Sequence, residues 1–528
     1  MHGDLVILAV LLGVGAFLLA ADRSQIPYPI LLVAGGTAMA FVPGVSDFVL
    51  DPDVILVAFL PPLLYGAAFF TSIQDLRANY RPIGLLAIGL VTATTVTVAV
   101  VAHYVIDLPW AAAFVLGAVV SPTDPVAATE IAVRSHAPRR LVTIVEGESL
   151  INDSTGLIAY KFAVAAVVTG SFSLFDAFGD FVLSAVAGVA LGVGIGVLSA
   201  ELRKRLDDAP TETAISLITP YIAYLPAEAL GISAVLSAVS AGLYLGWRSP
   251  ELVTPSTRIQ ITGFWELLTF GLNAALFVLI GLQLRTIIDS LGGYSMGELI
   301  GYAALVSGTV LATRMAWLFP FNVVSRLLVR RLPRGMIDAP PDFRLTALLG
   351  WSGMRGAVSL AVALAIPLKT DAGADFPGRD LIIFLAYAVI LVTVIGQGLT
   401  LGRLIEWAGI YDDEQTVAEQ EARARIAASQ AAIERLAELD GEDWVRAETS
   451  ARMRQQYEFR IRRFESRLDE DDDGELELGS QAYQRLRRKV LEAERAEIVR
   501  ARNRGDITDD IMRRIERDLD LEDARLEI

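Results

Sequence analysis

The chain has 528 residues, 53% of them hydrophobic, and a formal net charge of −16. That charge argues against nucleic acid as a partner. The absence of cysteine excludes disulfides, thiol catalysis and thiolate metal sites, and His2, His103 and His136 are too scattered for zinc. Charge is also unevenly spread: 32 acidic and 22 basic residues fall from Asp412 onward, against 29 and 23 in the much longer stretch before it. Such a division predicts a lipid-embedded body followed by a water-facing tail.

The N-terminal apolar run lacks the basic n-region of a signal peptide, so it reads as a first spanning helix near 4–20. About 20 apolar residues cross the hydrocarbon core. Apolar runs between charged or Pro/Gly-rich breaks predict further spans near 27–42, 53–70, 82–102, 109–130, 141–169, 177–200, 212–226, 231–247, 261–284, 297–320, 342–367 and 381–404. The pair within 212–247 is interrupted by Pro220 and Pro226. The fold class expected is an all-α polytopic membrane protein of about thirteen transmembrane helices.

Odd-numbered loops carry Arg23, Arg77, Arg81, Arg134, Arg139, Arg140, Arg203, Lys204, Arg205, Arg248, Arg258, Arg326, Arg330, Arg331 and Arg334. Even-numbered loops carry only Arg285, Lys369 and Arg379, with acids such as Asp47, Asp51, Asp176 and Asp180. The positive-inside rule then places the N-terminus outside and, with an odd count, the C-terminal tail in the cytoplasm.

Charges inside spans are costly and mark function. The fifth span contains Ser121-Pro122-Thr123-Asp124-Pro125. Two prolines bracketing an acid forbid a continuous helix, and unwound backbone beside a carboxylate is a common way of building a transport site. The sixth span opens Glu146-Gly147-Glu148-Ser149-Leu150-Ile151-Asn152-Asp153. Ser149 and Asp153 share one helical face, and Glu148 and Asn152 the next. These all-oxygen groups suit a small hard cation. A carboxylate away from water can hold a cation or a proton in turn, which is the minimum chemistry of exchange. The twelfth span reads Gly353-Met354-Arg355-Gly356-Ala357-Val358-Ser359, and the eleventh carries Arg314. Glu148 is the natural ion-pair mate for one of these arginines.

The motifs Thr-Asp-Pro, Glu-Ser-Leu-Ile-Asn-Asp and Gly-Met-Arg-Gly-Ala-Val-Ser, in this order, resemble those of the monovalent cation:proton antiporter-1 family, over roughly residues 1–405. The resemblance implies two inverted six-helix repeats with broken crossing helices and a homodimer. It implies no cofactor and no enzymatic activity, with Na⁺ and H⁺ as the transported substrates. Asp153 would be the ion- and proton-exchanging carboxylate. Asp124, Ser149 and the Thr123 carbonyl would complete Na⁺ coordination, and Asn152 would support them. The Asn152-Asp153 pair is similar to the electroneutral branch, implying one Na⁺ for one H⁺ across the inner (plasma) membrane. One departure stands out: Pro61-Pro62-Leu63-Leu64-Tyr65-Gly66 has glycine where relatives often carry an acid, with the Tyr65 hydroxyl as the nearest substitute.

Residues 406–528 are expected to form a cytoplasmic charged helical tail, with helical runs at 422–439, 451–468 and 483–504 and a break at 469–474. Its reading as a solvated appendage or a regulatory or dimer-stabilising domain stays open. Other cation-coupled carriers, including a K⁺/H⁺ antiporter, and an ion channel are the competing functions. The single carboxylate cluster favours a carrier over a channel, whose pore must be continuous.

Overall fold

The computed structural model describes Gly15 and residues 26–41, 55–170, 174–206, 208–291, 293–329, 342–411, 414–469, 475–524 and 526. The expected span at 4–20, apart from Gly15, lies outside the described residues, as do Arg23, Asp47, Asp51, Arg330, Arg331 and Arg334. The chain forms two compact units, Met1–Tyr411 and Asp412–Ile528. Among the described residues, regular structure is helical apart from one isolated bridge between Lys369 and Asp375.

In the first unit, α1 is Tyr28–Met39 and α2 is Leu60–Phe70, entered through a π turn at Ile55–Phe59. A short α3, Ile73–Ala78, leads into α4, Tyr80–Ile106, which contains a second π turn. Next come α5 (Trp110–Val120), α6 (Pro125–Arg134), α7 (Arg139–Thr169) and α8 (Leu174–Arg203). They are followed by α9 (Ala209–Ala229), α10 (Ala234–Leu252), α11 (Pro255–Asp289) and α12 (Met296–Val329). The unit closes with α13 (Phe343–Trp351), α14 (Ala357–Leu364) and α15 (Arg379–Ala408). Each of the segments expected between 27 and 404 coincides with helix. Six stretches among the described residues are long and apolar enough to cross a membrane by length and composition: Tyr80–Ile106, Trp110–Arg134, Gly179–Arg203, Pro255–Asp289, Met296–Pro320 and Arg379–Ala408.

Local chemistry sets many of the ends. Asp208 accepts from the Thr211 amide at 3.1 Å, Ser233 from Leu236 at 3.3 Å and Thr254 from Thr257 at 3.3 Å, so α9, α10 and α11 each begin on a side-chain cap. Gly170, with φ of 70°, ends α7 in the left-handed conformation glycine tolerates best. Pro220 and Pro226 do not split α9, contrary to the break expected there: both lie inside one helix. The Thr219 hydroxyl donates to Ile215 O at 2.7 Å and Ser237 donates to Ala223 O at 2.7 Å, so hydroxyls engage carbonyls flanking the proline kinks.

The largest apolar core joins α1, α4, α5, α11, α14 and α15 around buried residues such as Leu32, Leu116, Phe277 and Leu385. Close approach of α1 and α11 depends on Gly36 and Gly281, because a Cβ at either would meet the other helix's backbone. This packing holds two interrupted helices, α5/α6 and α13/α14, against each other.

The second unit contains α16 (Glu414–Leu439), α17 (Ala447–Ser466), α18 (Glu475–Arg504) and α19 (Asp509–Ala524). Three of these cover the helical runs expected from sequence; α19 was not anticipated. Its signal was present in Ile511, Ile515 and Leu519 at four-residue spacing after Gly505.

Candidate functional site

Both interruptions are real and they touch. Between α5 and α6 the backbone is extended at Asp124 (φ −98°, ψ 123°), and Asp124 caps α6 by accepting from the Val126 amide at 2.9 Å. The Asp124 amide donates to the carbonyl of Met354, in the break between α13 and α14, at 2.8 Å. A Cβ on Gly356 would overlap the Asp124 carboxylate, so the N-terminus of α14 reaches that carboxylate only because residue 356 is glycine. The positive ends of two half-helices, α6 and α14, thus face one carboxylate.

Helix α7 packs beside this crossing. Ser149 donates to the Thr123 carbonyl at 2.6 Å, and Asn152 Nδ2 donates to the Thr123 hydroxyl at 2.7 Å. The Thr123 hydroxyl in turn donates to Glu148 Oε1 at 3.4 Å. Thr123 is therefore tied to α7 through both its carbonyl and its side chain. Asp153 is 7% exposed, and no hydrogen bond or ion pair reaches its carboxylate among the described residues. It lines a cavity of about 400 Å³ together with Asp124, Ser149 and Thr123. Glu130, Glu146 and Asn273 line the same cavity.

The remaining predicted residues stand behind the wall. Of the two arginines offered to Glu148, the structure pairs Arg314, with a bidentate contact at 2.5 and 2.7 Å that is fully buried. Arg355 does not pair with Glu148. Its Nε donates to Val120 O at the end of α5 at 3.1 Å, its Nη1 donates to Gly353 O, and its amide donates to Thr393 Oγ1 at 3.0 Å. A guanidinium here neutralises carbonyls left over where helices stop. Asn152, fully buried, positions Thr123 without lining the cavity.

At the departure noted in the sequence, Gly66 lines the cavity, and a Cβ there would stand 2.7 Å from Thr269 Cγ2 and 3.2 Å from Trp265 Cε3. Side chains of α11 fill the space of the missing acid. Tyr65 is no substitute: it is outside the cavity lining, its ring lying 6.0 Å from that of Phe69 and 5.0 Å from that of Trp265. Sequence reasoning missed Glu130, Glu146 and Thr393. Only Glu146 had a readable signal, lying seven residues before Asp153 on the same helical face.

A second cavity, of about 380 Å³, lies further along α7 and is lined by Ser154, Lys161, Asp180 and Glu228 among others. Leu150 from the wall of the first cavity and Leu157, Tyr224 and Val235 from the wall of the second belong to one apolar cluster. Ser154 and Ser233 hydroxyls meet at 2.7 Å and Lys161 pairs with Glu228 at 2.8 Å, joining α7 to α10 and α9 on that side. Asp153 therefore lines the first cavity and not the second, whose lining begins at its neighbour Ser154.

A family model described as sodium/hydrogen exchanger, transmembrane, matches residues 6–407. The chain belongs to the sodium/hydrogen exchanger family. This exchanger is 35% identical to an uncharacterized Na(+)/H(+) exchanger of Mycobacterium tuberculosis, over 99% of this chain and 96% of the relative. It is 36% identical to the sodium, potassium, lithium and rubidium/H(+) antiporter of Bacillus subtilis, over 72% of this chain and 58% of that one. Its fold is similar to that of the sodium proton antiporter MjNhaP1 from Methanocaldococcus jannaschii, with a TM-score of 0.61 at 19% identity, covering 78% of this chain and all of that one. Membership makes the exchanger a multi-pass membrane transporter of a cation/proton-exchanging family.

Proposed function

We propose that this chain exchanges Na⁺ for H⁺, one for one, by alternating access, with Asp153 carrying the cation and the proton in turn. The observation that carries the reading is Asp153 itself: a nearly buried carboxylate without a hydrogen-bond or ion-pair partner among the described residues, at a cavity wall shared with Asp124, Ser149 and Thr123. A bare carboxylate so placed is costly, and either a cation or a proton relieves the cost. Both cannot bind at once, because a protonated carboxylate is a poor cation ligand. Asp124, the Ser149 hydroxyl and the Thr123 carbonyl would provide the other oxygens.

Alternating access fits the two cavities on opposite sides of Leu150 and Leu157. In this reading the body is thirteen helices in two inverted six-helix repeats, with the N-terminus outside the plasma membrane. The cavity at Asp153 then faces the cytoplasm, towards which the Arg134 and Arg139 ends of α6 and α7 point. Residues 1–405 would form the antiporter domain, working as a homodimer, and 406–528 a cytoplasmic helical tail. Li⁺ and K⁺ are alternative cargoes, and the broader cation range in the printed name of the Bacillus subtilis relative is a reason to test them.

Proteoliposomes with an interior pH dye give the test, with Na⁺, Li⁺ and K⁺ added separately, with and without a valinomycin voltage clamp. Proton movement triggered by Na⁺, insensitive to voltage and lost in Asp153→Asn, is the expected result. The Asn isostere keeps the shape and removes the titrating group, so the variant should elute as folded protein. Undiminished exchange by Asp153→Asn would sink the mechanism.

A further inference from the structure

We propose that Glu146 is an outer cation-holding carboxylate, a station for a hydrated alkali cation between bulk water and Asp153. The inference rests on the exchange reading above and deepens it. Glu146, Ser149 and Asp153 stand at positions i, i+3 and i+7 of α7, which puts them on one face. All three line the cavity of about 400 Å³. With a rise of about 1.5 Å per residue, Glu146 and Asp153 are roughly 10 Å apart along the helix axis. A water occupies about 30 Å³ in the liquid, so the cavity admits a cation that still carries its inner waters.

The inner end of this path demands a positive charge. Asp153 is 7% exposed, lines the cavity and has no partner among the described residues. Glu146 is also without an ion-pair or hydrogen-bond partner among the described residues, although it is largely withdrawn from solvent. The neighbouring acid on the wall differs: Glu130, from α6, is neutralised by Arg134 at 2.7 Å. Among the described residues, no lysine or arginine lines the cavity. Asp124 adds a further carboxylate at the inner end, and the other polar side chains on the wall, among them Tyr28, Thr71, Thr129, Thr269, Asn273 and Ser359, are neutral.

A cleft of one sign between low-dielectric walls concentrates counter-ions. A cation on Glu146 sits about one Debye length from Asp153 at ordinary ionic strength, within reach of the field of that carboxylate. Among the described residues the Glu146 carboxylate is committed to no hydrogen bond or ion pair, so its charge is available for capture. Glu148, two residues on, shows the contrasting use of a glutamate, with both oxygens committed to Arg314.

The experiment uses the full chain in proteoliposomes with an interior pH dye, comparing wild type, Glu146→Gln and Glu146→Asp across a Na⁺ titration. Each is measured at low ionic strength and again with about 0.5 M choline chloride, which shortens the Debye length to a few ångströms. Glu146→Gln is expected to raise the half-saturating Na⁺ about threefold to tenfold at low ionic strength with the maximal rate unchanged. The difference should shrink in choline chloride, and Glu146→Asp should stay within about twofold of wild type. A half-saturating Na⁺ unchanged in Glu146→Gln at low ionic strength overturns the proposal. So does a shift of equal size in both salts, which would mean that residue 146 acts by shaping the Asp153 site and not by its field. Should Glu146→Gln fail to fold, Glu146→Ala is read against the same outcomes. Wild type without cation-driven proton movement defeats the exchange reading, and this inference with it; exchange by wild type with an indifferent Glu146→Gln defeats this inference alone.

Discussion

Asp153 and Glu148 lie five residues apart on one helix and are used in opposite ways. Among the described residues Asp153 is left without a partner at a cavity wall, whereas Glu148 has both oxygens on the guanidinium of Arg314 and also receives the Thr123 hydroxyl. The pair is fully buried, so each member has lost its water and depends on the other. Glu148→Gln would leave Arg314 with an uncompensated charge in the core. A loss of about 3–5 kcal/mol is expected, visible as a lower melting temperature in detergent. Replacing both partners by apolar residues, in Glu148→Leu with Arg314→Met, should recover much of that stability, because no lone charge remains. A double variant as unstable as Glu148→Gln would show that the pair has another task, such as holding Thr123 in place. Arg355 belongs to a different economy: it serves carbonyls at the ends of interrupted helices and is not half of an ion pair.

At the level of elements, the site exists because two helices stop in mid-course and cross. The prolines at 122 and 125 interrupt one of them, and the glycines at 353 and 356 let the other pass close by. The Asp124 amide to Met354 carbonyl bond fastens the crossing. Gly356→Ala tests this geometry without removing any charged group. Its Cβ would overlap the Asp124 carboxylate, which must then turn away or push α14 aside. Cation affinity should fall by about 10-fold to 100-fold, the range seen when groups behind a metal ligand are altered, while the protein remains folded. The readout is the half-saturating Na⁺ for proton movement; an unaltered value would mean that Asp124 does not contact the cation. The prolines of α9 make the complementary point. Proline by itself does not break a membrane helix; it does so in the fifth span, where the backbone between the prolines is taken up by Met354 and Ser149.

The two units of the molecule are built on different physics. In the first, apolar packing encloses a few isolated polar groups. The second is stitched by charge: Phe464, 3% exposed, has the guanidiniums of Arg425, Arg463 and Arg467 at 5.4, 5.8 and 5.1 Å from its ring centre. Arg463 and Arg467 each donate twice to Glu477, joining α17 to α18. These bonds hold the Glu477 carboxyl down at about 2, against an ordinary 4.5. A depressed carboxylate contributes stability that is complete above its unfolded value and is lost as protons bind. Acidification from about 4.5 towards 2 should therefore loosen the α17–α18 junction. Amide exchange in that region of the full chain, corrected for intrinsic rates, should rise through this window, and Glu477→Gln should show the loosened rate already at neutral pH. Equal protection in both proteins at neutral pH would contradict it.

The sequence alone determined the helical class, the segments between 27 and 404, the interrupted fifth and twelfth spans and the motifs of the family. These are written in local terms: apolar length, proline and glycine placement, and the spacing of polar groups along a helix. Helix periodicity put Ser149 and Asp153 on one face and the flanking prolines marked Asp124, whereas grouping these with Thr123 came from the family resemblance. Only the tertiary structure decided which arginine meets Glu148, since residues 148 and 314 lie on two helices, 355 lies in the break between α13 and α14, and charge complementarity favours both pairings equally. Tertiary packing likewise decided that Trp265 and Thr269 fill the space beside Gly66, and that Glu130 is neutralised while Glu146 is left facing the cavity. The physical reason is the same in each case: a side chain's own helix fixes its direction, but its partner is chosen by whichever helix packs opposite.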